Sequence, residues 1–187
     1  KARALFEQAD SLLGFPLSRL CWEGPQEILT RTESCQPALY VTSLAALAAL
    51  RSEIGERRAE LNPTAAAGLS RGEYTALAAA GALCFSDGLR LVRLRGQAME
   101  EAARAAPGAM ASILGMELEA IEALCREAGA QVAGLNSPGQ IVISGTQEAV
   151  AAASEKARER GAKRVIPLEV GGAFHSRLME PAGARLR

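Results

Sequence analysis

The sequence predicts an α/β protein, and three observations carry that prediction. Apolar residues recur at helical spacing through most of the first hundred positions. Between residues 109 and 168 the rhythm changes to short β-type runs alternating with two amphipathic helices. A G-x-S-x-G turn, Gly68-Leu69-Ser70-Arg71-Gly72, stands between a short apolar segment and an alanine-rich helix.

Each element follows in order. Ala4, Leu5, Ala9, Leu12 and Leu13 give a helix over 1–13, broken by Gly14-Phe15-Pro16. A short helix ends near Gly24-Pro25. The nearly all-apolar run from Pro37 to Leu50 predicts a buried core helix with Pro37 in its first turn. Residues 51–63 read as a polar surface stretch ending at Asn62-Pro63. Residues 64–68 read as a short strand of weak propensity, 72–80 as a helix stopped by Gly81, and 86–103 as a helix capped by Ser86. Pro107-Gly108 is a break. Strands are then expected over 109–116, 130–136, 140–145 and 162–170, and helices over 117–129 and 146–161. Ser137-Pro138-Gly139 supplies the turn between the middle strands. That βαββαβ order is the ferredoxin-like pattern and predicts a subdomain over 108–168. The chain then passes through Gly171-Gly172 to Phe174-His175 and a last helix.

Composition excludes several classes. The chain has 187 residues, enough for one sizeable core with a small subdomain. Its 21 basic and 21 acidic side chains cancel, which argues against a nucleic-acid binder, since phosphate neutralisation needs a basic excess. No apolar run reaches the ~18 residues a membrane span requires. Cys21, Cys35, Cys84 and Cys125 form no CxxC pair and the sequence holds one His, so no zinc site is expected and the thiols read as reduced. Both termini read as helix, with no initiator Met or secretory leader, so an internal piece of a longer protein is expected.

Three side chains carry chemistry. A strand reversing sharply into a helix crowds the positions two before and two after the serine, where glycine fits, and thrusts the Ser70 hydroxyl clear. The backbone N–H of Arg71, at the helix start, is a candidate oxyanion donor. A serine hydroxyl needs a base, and His175 is the one histidine, placed after a Gly-Gly loop beside Phe174. Arg95 has Leu91, Val92, Ala98 and Met99 as its helical neighbours, so its guanidinium lies on an apolar stripe and calls for an anionic partner, internal or substrate. Arg93, among Leu89, Arg90, Gly96 and Gln97, reads as solvated.

Six stretches together resemble the malonyl-CoA:acyl carrier protein transacylases: EGPQEILTRTESCQPAL (23–39), AGLSRGEYTALAAAGAL (67–83), LRLVRLRGQAM (89–99), NSPGQIVISG (136–145), GAKRVIPL (161–168) and GAFHSRLMEPA (172–182). The resemblance implies a hydrolase-like α/β acyltransferase domain, 1–107 with 169–187, carrying an inserted ferredoxin-like subdomain over 108–168. It implies Ser70 as nucleophile, His175 as base, Arg95 as the binder of the malonyl carboxylate and Phe174 as a bulk that disfavours an α-methyl group. Lys163 and Arg164 would dock an acidic acyl carrier protein. Malonyl-CoA and the carrier are the implied partners, with no metal or other cofactor, no nucleic acid, no membrane, a monomeric state and a cytoplasmic setting, mitochondrion and plastid remaining open. Two positions depart from the family: Leu69 stands where His usually precedes the nucleophile, and Arg71 where an apolar residue or Gln is usual. The family's N-terminal strand, whose G-Q-G turn supplies a second oxyanion donor, is not in the sequence. The rival readings are an acyltransferase domain of a polyketide synthase, a non-catalytic carrier-binding relic and, more weakly, a serine esterase.

Overall fold

The computed structural model describes residues 1–55 and 63–187, and the chain divides into two compact units, 1–97 and 98–187. Most of the polar stretch 51–63 lies outside the described residues.

Among its described residues the first unit is helical. Helices α1 (Ala2–Leu13), α2 (Leu17–Glu23), α3 (Gln26–Leu29), α4 (Thr32–Ile54) and α5 (Gly72–Ala79) precede α6 (Phe85–Ala105), whose first thirteen or so residues belong here. Ala9, Leu17, Tyr40, Val41, Leu44, Leu89 and Val92 form the core. Gly14 ends α1 in the left-handed conformation that glycine adopts without strain.

Three expectations are corrected here. Helix α4 begins at Thr32, so Pro37 lies inside it rather than in its first turn. Proline has no N–H, and the carbonyl of Glu33, one turn earlier, loses its helical partner. Arg93 supplies the replacement: its Nη1 donates to the Glu33 carbonyl at 2.7 Å. The same guanidinium lies 3.5 Å from the Glu33 carboxylate and 5.1 Å from the centre of the Phe15 ring. Arg93 is therefore not solvated; its side chain is one-quarter exposed, at 25%. Second, Ser86 is inside α6, and the Sγ of Cys84 accepts from the Asp87 N–H at 3.4 Å in its stead. Third, residues 64–68 join no ladder among the described residues, because the strands seen all pair with one another in the second unit.

Helix α4 meets α6 closely. A side chain at Gly96 would approach the Thr32 carbonyl to 2.8 Å and the Glu33 Cα to 2.9 Å, so glycine lets the two backbones touch.

The second unit contains β1 (Ala109–Leu114), α7 (Leu118–Ala128), β2 (Gln131–Ser137), β3 (Gln140–Gly145), α8 (Gln147–Glu159) and β4 (Arg164–Pro167), in the predicted order. The strands pair antiparallel in the order β2-β3-β1-β4, with Ile113 opposite Ile141 and Ser112 opposite Ile166. The central strands are almost wholly buried and β4 is mostly exposed, as edge position requires. Strand β4 is shorter than predicted; it closes at Pro167, which cannot donate to a ladder. Ile113, Ile121, Leu124, Ile143, Val150 and Ala153 join sheet to helices. The Thr146 hydroxyl caps α8 by accepting from the Ala149 N–H at 3.2 Å. Lys156 of α8 and Arg160, directly after it, both grip Glu127 of α7, at 2.8 and 2.7 Å. A 3-10 turn (Arg177–Met179) and α9 (Glu180–Arg185) follow, and Phe174, Met179 and Ala182 pack on Ala98, Met99 and Ala102 of α6. No helix among the described residues is long and apolar enough to cross a membrane.

Candidate active site

Among the described residues, two that are not glycine have positive φ: Ser70 at 55° and His175 at 59°. For an L-residue that conformation costs about 1–2 kcal/mol. It persists where the surroundings over-determine it, typically at functional positions. The residues that sequence chemistry selects as nucleophile and base are thus the two that the backbone holds under strain.

The turn at Ser70 explains its own glycine pattern in part. A Cβ at Gly68 would collide with the backbone carbonyl of Gly72, so the chain passes too close to itself for any side chain there. A Cβ at Gly72 meets nothing within 4 Å, so the expectation of crowding on that side is corrected: the helix has already turned away. The N–H groups of Gly72 and Glu73 are taken by the carbonyls of Leu69 and Ser70, at 2.9 and 3.2 Å. No backbone hydrogen bond among the described residues engages the Arg71 N–H. Leu69, preceding the serine, is 77% exposed.

Arg95 and Ser70 come together. Arg95 Nη2 donates to Ser70 Oγ at 3.0 Å, and its Nη1 donates to Gln36 Oε1 at 2.7 Å. Both acceptors are neutral, and among the described residues Arg95 forms no ion pair. Burial lowers the Arg95 pKa from its ordinary value; the nearby Tyr74 opposes this, the Arg71 charge adds to it, and Glu73 opposes it. The guanidinium is thus held partly out of water beside the Ser70 hydroxyl, in the fork geometry that suits a carboxylate. Gln36 escaped the sequence reading. Its mark was a polar residue directly before Pro37 at the mouth of an apolar run, and it is 4% exposed.

In the second unit His175 is exposed and sits in a tight turn. The Phe174 N–H bonds the Gly172 carbonyl at 3.0 Å, and Ser176 Oγ donates to the Ala173 carbonyl at 2.7 Å. Gly172 is needed because a Cβ there would come within 2.6 Å of the Ala103 Cβ. Phe174 is half-buried against the α6 residues. Lys163 and Arg164 are exposed at the start of β4, and the Lys163 stem lies along Gly115.

The chain belongs to the acyl transferase domain family, which it matches over residues 2–187. It is 51% identical over 191 residues to the malonyl CoA-acyl carrier protein transacylase of Bacillus subtilis (strain 168), covering 100% of this chain and 58% of that protein. With the Escherichia coli (strain K12) protein of the same name it shares 41% over 185 residues, 97% of this chain and 58% of the relative. The chain thus spans 58% of the length of these relatives. The structure of the malonyl CoA-acyl carrier protein transacylase from Coxiella burnetii superposes with a TM-score of 0.92 at 40% identity, covering 99% of this chain and 58% of that one. A type II PKS acyl-carrier protein in complex with its malonyl-transacylase gives 0.91 at 39%, covering 99% and 60%.

Proposed function

We propose that this chain carries the nucleophile, base and carboxylate clamp of a malonyl-CoA:acyl carrier protein transacylase of fatty acid biosynthesis, working in the cytoplasm as a monomer. The observation that carries the reading is the 3.0 Å contact of Arg95 with Ser70, which puts a cation beside the acyl-bearing atom.

His175 takes the Ser70 proton as Oγ attacks the thioester carbonyl carbon of malonyl-CoA. The Arg71 N–H donates to the oxyanion; one such donor is commonly worth about 10²–10³ in rate. The C–S bond breaks and the CoA sulfur leaves with the proton held by His175. The phosphopantetheine thiol of the carrier then gives His175 its proton, attacks the malonyl-serine ester, and Oγ recovers that proton as the ester bond breaks. Throughout, Arg95 pairs with the free malonyl carboxylate, which orients the acyl group and rejects uncharged chains. Phe174 limits bulk at the α-carbon, and Lys163 with Arg164 meets the acidic carrier. Residues 108–168 form, in this reading, a subdomain set into the acyltransferase domain of 1–107 and 169–187. No step draws on a metal or redox cofactor.

A second reading, the same transfer to a polyketide carrier, is favoured by the structural relative that is in complex with a type II PKS acyl-carrier protein. The test of the shared chemistry is mass spectrometry of the protein, at its full natural length, after exposure to malonyl-CoA. A malonyl adduct on Ser70, absent in Ser70→Ala, is expected; transfer activity persisting in Ser70→Ala and His175→Ala, with no adduct in the parent, refutes the mechanism.

A further inference from the structure

We propose that Gln36 is a positioning residue that sets acyl selectivity by fixing the Arg95 guanidinium; the inference rests on the malonyl-transfer reading above. Arg95 has a long, freely rotating side chain, and a clamp works only when its fork points one way. Gln36 Oε1 holds one end of that fork at 2.7 Å, and the other end then points at Ser70 Oγ, 3.0 Å away. The amide is buried, at 4% exposure, so water does not compete strongly for the bond.

The chemistry of the partner matters as much as its place. A Glu or Asp at this position would pair with Arg95 and cancel the charge that a substrate carboxylate needs. An amide oxygen orients the guanidinium and leaves the charge available. The frame around it is rigid. Gln36 stands on the turn of α4 directly before Pro37, and that turn is joined to α6 at Gly96 by backbone contact and at Arg93 by the bond to the Glu33 carbonyl. Both ends of the Gln36–Arg95 bond therefore come from elements locked to one another.

The arrangement also supplies a sequence of partners. In the free enzyme Nη2 donates to the serine hydroxyl. Once Oγ becomes an ester oxygen it is a poorer acceptor, and Nη2 passes to the carboxylate a few bonds along the acyl chain. Gln36 holds Nη1 during that exchange, so the guanidinium changes partner without leaving its place.

The test uses Gln36→Met, which keeps the shape and removes the acceptor, and Gln36→Glu, which keeps the acceptor and adds a charge. Both are made in the protein at its full natural length. Steady-state kcat and KM are measured with malonyl-CoA and acetyl-CoA, together with the thermal midpoint. In Gln36→Met, malonyl kcat/KM is expected to fall about 10–100-fold, and the malonyl-to-acetyl ratio at least about tenfold. In Gln36→Glu, KM for malonyl-CoA is expected to rise about tenfold while kcat changes less, because the new carboxylate competes for the fork. A malonyl-to-acetyl ratio unchanged in Gln36→Met overturns the inference; if that variant does not fold, an unchanged ratio in Gln36→Glu overturns it alone. Failure of the parent protein to form the Ser70 adduct would instead remove the malonyl-transfer reading, and the inference with it.

Discussion

The bond from Arg93 to the Glu33 carbonyl makes a quantitative claim about why a proline is tolerated inside α4. Replacing Arg93 with Met keeps most of the packing but removes three interactions. A hydrogen bond from a charged donor contributes about 1.5–3 kcal/mol. The stacking on Phe15 adds about 0.5–1 kcal/mol, and the 3.5 Å ion pair at most about 1 kcal/mol. With the Arg93 side chain one-quarter exposed, the lower half of the range applies, so Arg93→Met should cost about 2–3 kcal/mol. The decisive comparison is made in a Pro37→Ala background. Alanine restores the N–H that reaches the Glu33 carbonyl along the helix, and the guanidinium bond becomes redundant. There Arg93→Met should cost about 1–2 kcal/mol less. Urea unfolding of the four variants, followed by circular dichroism, measures this coupling. Costs that add within about 0.5 kcal/mol would show that proline and arginine act independently and that the guanidinium does not replace the missing helical bond.

Three further outcomes are expected. Ser70→Gly and Ser70→Ala both lose the hydroxyl, but glycine relieves the positive φ, so the glycine variant should unfold at higher denaturant and be about 1 kcal/mol more stable; equal midpoints would mean the turn is unstrained. Arg95→Ala should lower malonyl transfer far more than acetyl transfer, measured with each thioester in turn; equal loss would remove the clamp. The hydrogen bonds of Arg160 and then Lys156 hold Glu127 well below its ordinary value of 4.5, at about 2. Its contribution to stability is therefore complete above about pH 4.5 and is lost as pH falls towards 2, and Glu127→Gln should flatten that part of the stability profile; an unchanged acid limb contradicts the pairing.

Local pattern made much of this legible. The helices α1, α2, α5 and α6 announce themselves by apolar spacing and glycine stops, and the alternation over 109–168 gives every strand of the sheet. Arg95 stands out because its neighbours on one helix are all apolar, and Ser70 because glycines flank it. What escaped was decided by partners distant in sequence. Arg93 looks solvated when judged against its own helix, yet its acceptor and its ring partner come from Glu33 and Phe15. The polar residues 32–36 hid the start of α4, because Ser34 and Gln36 are buried there. Gln36 meets Arg95, 59 residues away, and no periodicity reveals that pairing.

The most direct test is to isolate the malonyl-enzyme free of CoA and mix it with carrier protein bearing a free phosphopantetheine thiol. Malonyl is expected to leave Ser70 and appear on the carrier thiol in equal amount, with no CoA present. Transfer that occurs only when malonyl-CoA and carrier are both bound, with no isolable acyl-serine, would contradict it.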